Sequence, residues 1–161
     1  MRVIELTKGQ VAIVDDEDFD ALAQYRWNYN AAGYARRTIN FRLPDGKFSC
    51  SHVMMHHAII GKPPRGSVVD HCNLNKLDNR RENLRVCTYS QNTANSKLSS
   101  RSSTGFKGVT KIKNQPFRPF RAGICVRGKT YILGNFSTAE AAGAAYAKAA
   151  LEHFGEFART N

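Results

Sequence analysis

Four residues of the types used in phosphodiester chemistry lie close together in this chain: Asp70, His71, Asn83 twelve positions on, and Asn92 nine beyond that. A strand ending at Asp70 and His71, followed by a loop, a second strand and a helix bearing Asn92, can bring carboxylate, imidazole and amide to one metal. Hydrolysis of a phosphodiester needs a base to take a proton from water and a cation to stabilise developing charge. An imidazole titrating near neutrality suits the base. Carboxylate and amide oxygens suit Mg²⁺, which takes few protein ligands and keeps several of its waters.

The elements needed to position these groups are legible around them. The β-branched run GSVVDH, residues 66–71, reads as a short strand, and residues 72–82 form a polar, asparagine-rich loop. A second strand spans Leu84 to Thr88 and leads into a helix from about Ser90 to Lys97. Upstream, Val11 to Val14 reads as a strand, the acidic run Asp15 to Asp20 as a turn, and Asp45-Gly46 as a hairpin turn between Phe41 and Phe48. The segment Ser51 to Ile60 reads as a helix with Ser51 as its N-cap and Gly61 as its stop. Residues 96–104 are serine-rich, which suits a linker.

Three strand-like runs come next, Phe106 to Lys113, Phe117 to Val126 and Lys129 to Phe136, and then an alanine-rich helix from Ala139 to Phe154 capped by Ser137 and Thr138. In the middle run Ala122, Ile124 and Val126 share one face, fit to take the helix, while Arg121, Gly123, Cys125 and Arg127 share the other. The expected fold is therefore α+β. It has three parts: residues 1–97, a linker over 98–104, and a three-stranded antiparallel sheet packed on one helix over 105–161.

Charge distribution narrows the partner. Residues 1–40 carry 5 basic and 6 acidic side chains (−1), residues 41–100 carry 9 and 4 (+5), and residues 101–161 carry 10 and 3 (+7), which sum to the net +11. A field of this sign draws polyanions, because Lys and Arg neutralise phosphates and release counterions. The chain shows no run of roughly 20 apolar residues and no secretory leader, so a membrane span and export are not expected. Four scattered cysteines, Cys50, Cys72, Cys87 and Cys125, form no C-x-x-C pair and read as free thiols.

The segment VVDHCNLNKLDNRRENLRVCTYSQNTAN resembles the HNH endonucleases of the ββα-metal fold, in particular their homing-type branch in phages. The resemblance implies His71 as general base, Asp70 and Asn92 as ligands of a divalent metal such as Mg²⁺, and Asn83 as the brace of the loop. Asn92 stands where the family name has its second His, a variant the homing branch carries, and Asn95 one turn on is an alternative ligand. Arg80, Arg81 and Arg85 flank this site and are candidates for holding phosphates, with an ion pair from Arg81 to Glu82 or Asp78 as the other reading. His52, His56 and His57 read as packing or phosphate-contacting groups. A zinc site from Cys50, His52, Cys72 and Cys87 has little support in the spacing.

The C-terminal motifs FKGV, FRAGI, LGNFSTAEAA and FGEFARTN resemble the APETALA2-type DNA-binding domain, which lays a three-stranded sheet into the major groove. That resemblance matches Lys107 to a basic contact position. The residues alone add Lys111, Lys113, Arg121 and Arg127 as candidate phosphate contacts. Gly123, Cys125 and Ile132 depart from the plant domains, so no site preference carries over. Together these features point to a metal-dependent nuclease acting on double-stranded DNA, of the homing or mobile-element kind. They point to work in the cytoplasm of a bacterial or phage-infected cell, with no obligatory protein partner. The rival expectation is a DNA-binding regulator without catalysis.

Overall fold

The computed structural model describes residues 1–160. The chain is mixed α and β, and its contacts divide it into two compact units, Met1–Cys87 and Thr88–Asn161. The division falls ahead of the helix that begins at residue 89, not at the serine-rich stretch where composition placed it.

In the first unit, β1 (Arg2–Glu5) and β2 (Val11–Val14) pair antiparallel, with Arg2 opposite Val14 and Glu5 opposite Val11. The acidic run expected as a turn is instead a helix, α1 (Asp16–Ala23). Asp16, Glu17 and Asp18 lie in its first turn, where carboxylates favour the positive end of the helix dipole. Phe19 and Leu22, three apart, give it an apolar face. A three-stranded antiparallel sheet comes next, in the order β3 (Asn28–Tyr29), β4 (Ala35–Arg42), β5 (Phe48–Met54). Asp45-Gly46 does form the β4–β5 turn: Gly46 takes φ +83° and the Lys47 amide donates to Asp45 Oδ1 at 3.0 Å.

The helix expected from Ser51 is shorter. Ser51, His52 and Val53 pair with Ile39, Thr38 and Arg37 in the sheet, so the ladder takes the residues that N-cap chemistry would have used, and α2 spans only Met55–Ile60. It stops at Gly61 (φ +84°) as expected. β6 (Ser67–His71) and β7 (Leu84–Thr88) form a two-stranded sheet. The core gathers Ile4, Leu6, Val14, Leu22, Met55, Val69 and Leu84 around Trp27, whose indole N–H donates to the Leu22 carbonyl at 2.9 Å.

The second unit opens with α3 (Tyr89–Asn95), started by a capping box in which the Thr88 side chain accepts from the Gln91 amide and Gln91 reaches back to the Thr88 amide. Ala94 packs in one cluster with Ile124, Tyr146, Ala149, Ala150 and Phe154, which is why this helix belongs with the C-terminal part of the chain. β8 (Val109–Lys111), β9 (Phe120–Val126) and β10 (Lys129–Phe136) form an antiparallel sheet in the order β10-β9-β8. The sheet carries α4 (Ala139–Phe154) on the face of Ala122 and Ile124, as the strand alternation requires. The approach is close enough that a Cβ on Gly143 would lie 2.5 Å from the Phe106 ring. Among the described residues, no helix is long and apolar enough to cross a membrane.

Candidate active site

The loop after β6 is held by its own asparagines. Asn83 Oδ1 accepts from the Asn73 amide at 2.9 Å while its Nδ2 donates to the Asp78 carbonyl at 2.7 Å. The Cys72 amide donates to the Asn83 carbonyl at 2.9 Å. Asn73 and Asn75 each close a local turn by accepting from the amide two residues on, at 2.8 and 3.1 Å. The far side of the loop is sewn to β2: the Ile13 amide donates to Leu77 and the Asn79 amide to Ile13, both at 2.8 Å. A mostly polar segment is thereby fixed against the core by backbone and amide bonds, with Leu77 packing beside them.

Asp70 and His71 sit at the end of β6, each 4 % exposed. His71 Nε2 lies 3.4 Å from Asn79 Oδ1, and the Asn79 Nδ2 donates to the Leu77 carbonyl at 3.2 Å. With the amide oriented by Leu77, its oxygen faces the imidazole. Nε2 then carries the proton, and Nδ1 is the basic nitrogen of that tautomer. Burial lowers the His71 pKa from its ordinary value, partly offset by the Asn79 bond and the charges of Asp70 and Asp78. The ring is therefore neutral at pH 7, as a proton acceptor must be.

Two aromatic neighbours complete the surroundings. The His56 ring on α2 lies edge-on to His71 with centroids 5.3 Å apart, and Tyr34 lies 5.4 Å from His56 and 5.8 Å from His71. Burial, then the nearby His57 and His71, push His56 down to about 3. Burial and the charge of Asp70 raise the Tyr34 hydroxyl. His56 therefore packs, one of the two roles expected for it. His52 instead faces solvent on β5, with Nδ1 3.3 Å from Thr38 Oγ1.

The three arginines near the site all face carboxylates. Arg85 donates to Asp70 Oδ2 from Nε and Nη2, both at 3.0 Å, in a pair that is largely buried. Arg80 holds Asp78 through Nε at 2.8 Å and Nη2 at 2.7 Å, and also contacts Glu82. Arg81 reaches Asp18 and Glu17 on α1, each at 2.7 Å, rather than the Glu82 or Asp78 expected as its ion-pair partners.

Asn92 lies half-buried on α3, within the second unit, and Asn95 is buried on the same helix. Lys107 is half-buried too, and its Nζ donates to the carbonyls of Ala94 at 2.6 Å and Ser96 at 2.9 Å, capping the end of α3. Lys111, Lys113 and Arg127 are exposed, and Arg121 is exposed with Nε donating to Asn135 Oδ1 at 3.2 Å. The face of β9 that bears Arg121, Gly123 and Cys125 opens on a groove of about 610 Å³ also lined by Lys97 and Arg101.

An HNH endonuclease family model matches residues 51–94, the stretch from β5 through α3 that contains Asp70, His71, Asn83 and Asn92. An uncharacterized HNH endonuclease of Acanthamoeba polyphaga mimivirus is 34% identical over 154 residues, 96% of this chain and 76% of that protein. The chain belongs to the HNH endonuclease family. As a member, it is a nuclease, and the family is generally dependent on a divalent metal. Among the described residues of this HNH nuclease, no three His, Cys, Asp or Glu side chains are grouped to hold a metal ion, the zinc set of Cys50, His52, Cys72 and Cys87 included. A buried carboxylate beside the histidine, with amide oxygen as the other donor, is nevertheless chemistry suited to a hard cation that retains water. Sequence reasoning missed Tyr34 and Asn79, and gave His56 a packing role without placing it beside His71. Only Asn79 carried a signal, as part of the LDNRRENLR stretch.

Proposed function

We propose that this HNH nuclease hydrolyses phosphodiester bonds of double-stranded DNA with His71 as general base. Mg²⁺ or a similar divalent ion, held by Asp70 and Asn92, would stabilise the charge that develops on the phosphate. The observation that carries the reading is the His71–Asn79 contact: a buried, neutral imidazole beside the Asp70 carboxylate, its ring oriented by an amide that is itself held by the Leu77 carbonyl. As the attacking water gives its proton to His71, the water oxygen bonds to phosphorus and the bond to the leaving oxygen breaks. Asn83 acts indirectly, as the brace that fixes the loop behind His71.

Arg85 pairs with Asp70, and Arg80 and Arg81 with carboxylates of the loop and of α1, so the exposed cations carry the larger share of DNA binding. The open face of β9 and the exposed Lys111, Lys113 and Arg127 support an APETALA2-type sheet in the major groove, with Lys107 acting from within as a helix cap. A homing or mobile-element role, inside the cell that holds the target DNA, rests on the resemblance of the catalytic segment alone.

The test is nicking or linearisation of supercoiled plasmid by the pure protein with Mg²⁺ and with chelator, beside His71→Ala. The variant should lose cleavage by at least about a hundredfold, the scale of general-base catalysis, and keep its DNA affinity in gel shift. Cleavage by His71→Ala at the wild-type rate rejects the assignment. DNA binding without metal-dependent cleavage in the wild type favours the regulator instead.

A further inference from the structure

The β4–β5 hairpin has no role in the site described so far, and its form is unusual for a small domain. Seven consecutive pairs run without a bulge from Arg36 opposite Met54 to Arg42 opposite Phe48. Every residue from Thr38 to Phe48 is nonetheless exposed, so beyond its root the ribbon has no core on either face. Two strands in water gain little by themselves. A ribbon of this length that is solvated on both faces is shaped to be inserted into something.

Charge says what. Residues 35–54 hold four basic side chains (Arg36, Arg37, Arg42, Lys47) and one acidic one, Asp45, which Lys47 pairs at 3.0 Å, a net +3. The register divides the side chains into two faces. One bears Arg36, Thr38, Asn40 and Arg42 with His52, Cys50 and Phe48 opposite; the other bears Arg37, Ile39 and Phe41 with Val53, Ser51 and Ser49. The first is a row of hydrogen-bonding groups that ends in a guanidinium stacked 4.7 Å above the Phe48 ring. Stacking holds the guanidinium plane while leaving its N–H edge for a partner.

We propose that this ribbon enters the major groove of duplex DNA and reads base edges through Asn40 and Arg42. The inference rests on the nuclease reading above. The major groove admits a two-stranded ribbon, and Asn and Arg are the side chains that pair bidentately with adenine and guanine there. A strand rises about 3.3 Å per residue, close to the spacing of stacked bases, so side chains two apart on one face meet alternate base pairs. Thr38 and His52, linked at 3.3 Å behind them, continue the same polar row.

The experiment is selection of bound duplexes from a pool with a randomised core, by gel shift of the full chain in chelator so that no cleavage is needed. Wild type, Asn40→Ala and Arg42→Ala are compared, with plasmid nicking in Mg²⁺ measured in parallel. Both positions are exposed, and thermal unfolding verifies that the variants fold. The expected result is a selected site from the wild type in which each variant loses about tenfold or more of its preference at one or two neighbouring base pairs, with the rest of the site retained. Plasmid nicking in Mg²⁺ should fall with the lost affinity and recover at saturating protein, where binding no longer limits the rate.

An unchanged selected site in both variants overturns the ribbon and leaves the nuclease standing, as does a wild type that binds DNA with no sequence preference. A wild type that binds no DNA in chelator or in Mg²⁺ overturns both. A chain that is dimeric in solution, becomes monomeric in Ile39→Ser with Phe41→Ser and keeps its selected site shows the ribbon to be a contact between copies, and overturns the proposal.

Discussion

His56 makes the stability of the first unit depend on pH in a calculable way. Its pKa falls from 6.5 to about 3 on folding, mainly through burial beside Tyr34 and His71. The unfolded chain therefore binds a proton that the folded chain refuses, and stability is lost as pH drops below 6.5. Between pH 7 and pH 5 one such group costs about 2 kcal/mol, the difference between a mostly protonated unfolded imidazole and a neutral folded one. His57 and His71, both lowered by burial, act in the same direction. The assay is urea unfolding followed by fluorescence of Trp27, the chain's one tryptophan and part of the same core, in wild type and His56→Phe at pH 7, 6 and 5. Phe keeps a ring in place but cannot titrate. Comparing slopes against pH cancels whatever the substitution costs in packing. The wild type should lose about 2 kcal/mol more than the variant between pH 7 and 5; parallel slopes would refute the burial argument.

Three further outcomes rest on particular contacts. Asn79→Ala should lower kcat by about ten- to a hundredfold, as expected when the group orienting a catalytic histidine is removed, with KM for DNA unchanged; a changed KM with normal kcat would place Asn79 in binding instead. Arg85→Met leaves Asp70 buried without this partner and should cost about 3 kcal/mol of stability in chelator. If Asp70 binds the metal, Mg²⁺ should raise the melting temperature of this variant by more than that of the wild type, and an equal response would count against the ligand assignment. Gly143→Ala would gain about 1 kcal/mol of helix propensity but place a methyl 2.5 Å from Phe106. Overpacking of about 1–3 kcal/mol should win, and a stabilised variant in thermal unfolding would show that Phe106 moves freely.

How far the sequence could be read depended on what competes for each residue. The ends of α4 and β6 were legible because the cap and the alanine run mark the one and the β-branched run marks the other. Ser51 was misread because N-cap chemistry is local, whereas its pairing with Ile39 depends on a turn several residues away. The acidic run hid α1, since Asp is a weak helix former except in the first turn, where three of the five acids lie. Within the site, Asp70, His71 and Asn83 were visible as a spaced set in one segment. Tyr34 was not, because it reaches His71 from a strand edge 37 positions upstream by a tertiary approach that no spacing encodes. The ion-pair partners of Arg81 were hidden for the same reason, since they lie more than 60 residues away, in the acidic segment that gives residues 1–40 their negative balance.

That pairing changes what the basic charge of this nuclease is for. Arg80, Arg81 and Arg85 lie in the segment that follows the histidine, and each is matched to at least one carboxylate, which leaves little uncompensated guanidinium charge around the site. A neutral site has a physical advantage for the proposed chemistry. A cluster of unpaired guanidiniums would repel a divalent cation, whereas an Asp70–Arg85 pair can accept cation and phosphodiester together with little net change of charge. In the proposed reading, affinity for the duplex rests on exposed cations of each unit: Arg42 on the ribbon of the first, and Lys111, Lys113 and Arg127 on the sheet of the second. In that reading binding should respond steeply to salt while the pKa of His71 should not, because exposed charges are screened and the buried imidazole is governed by desolvation.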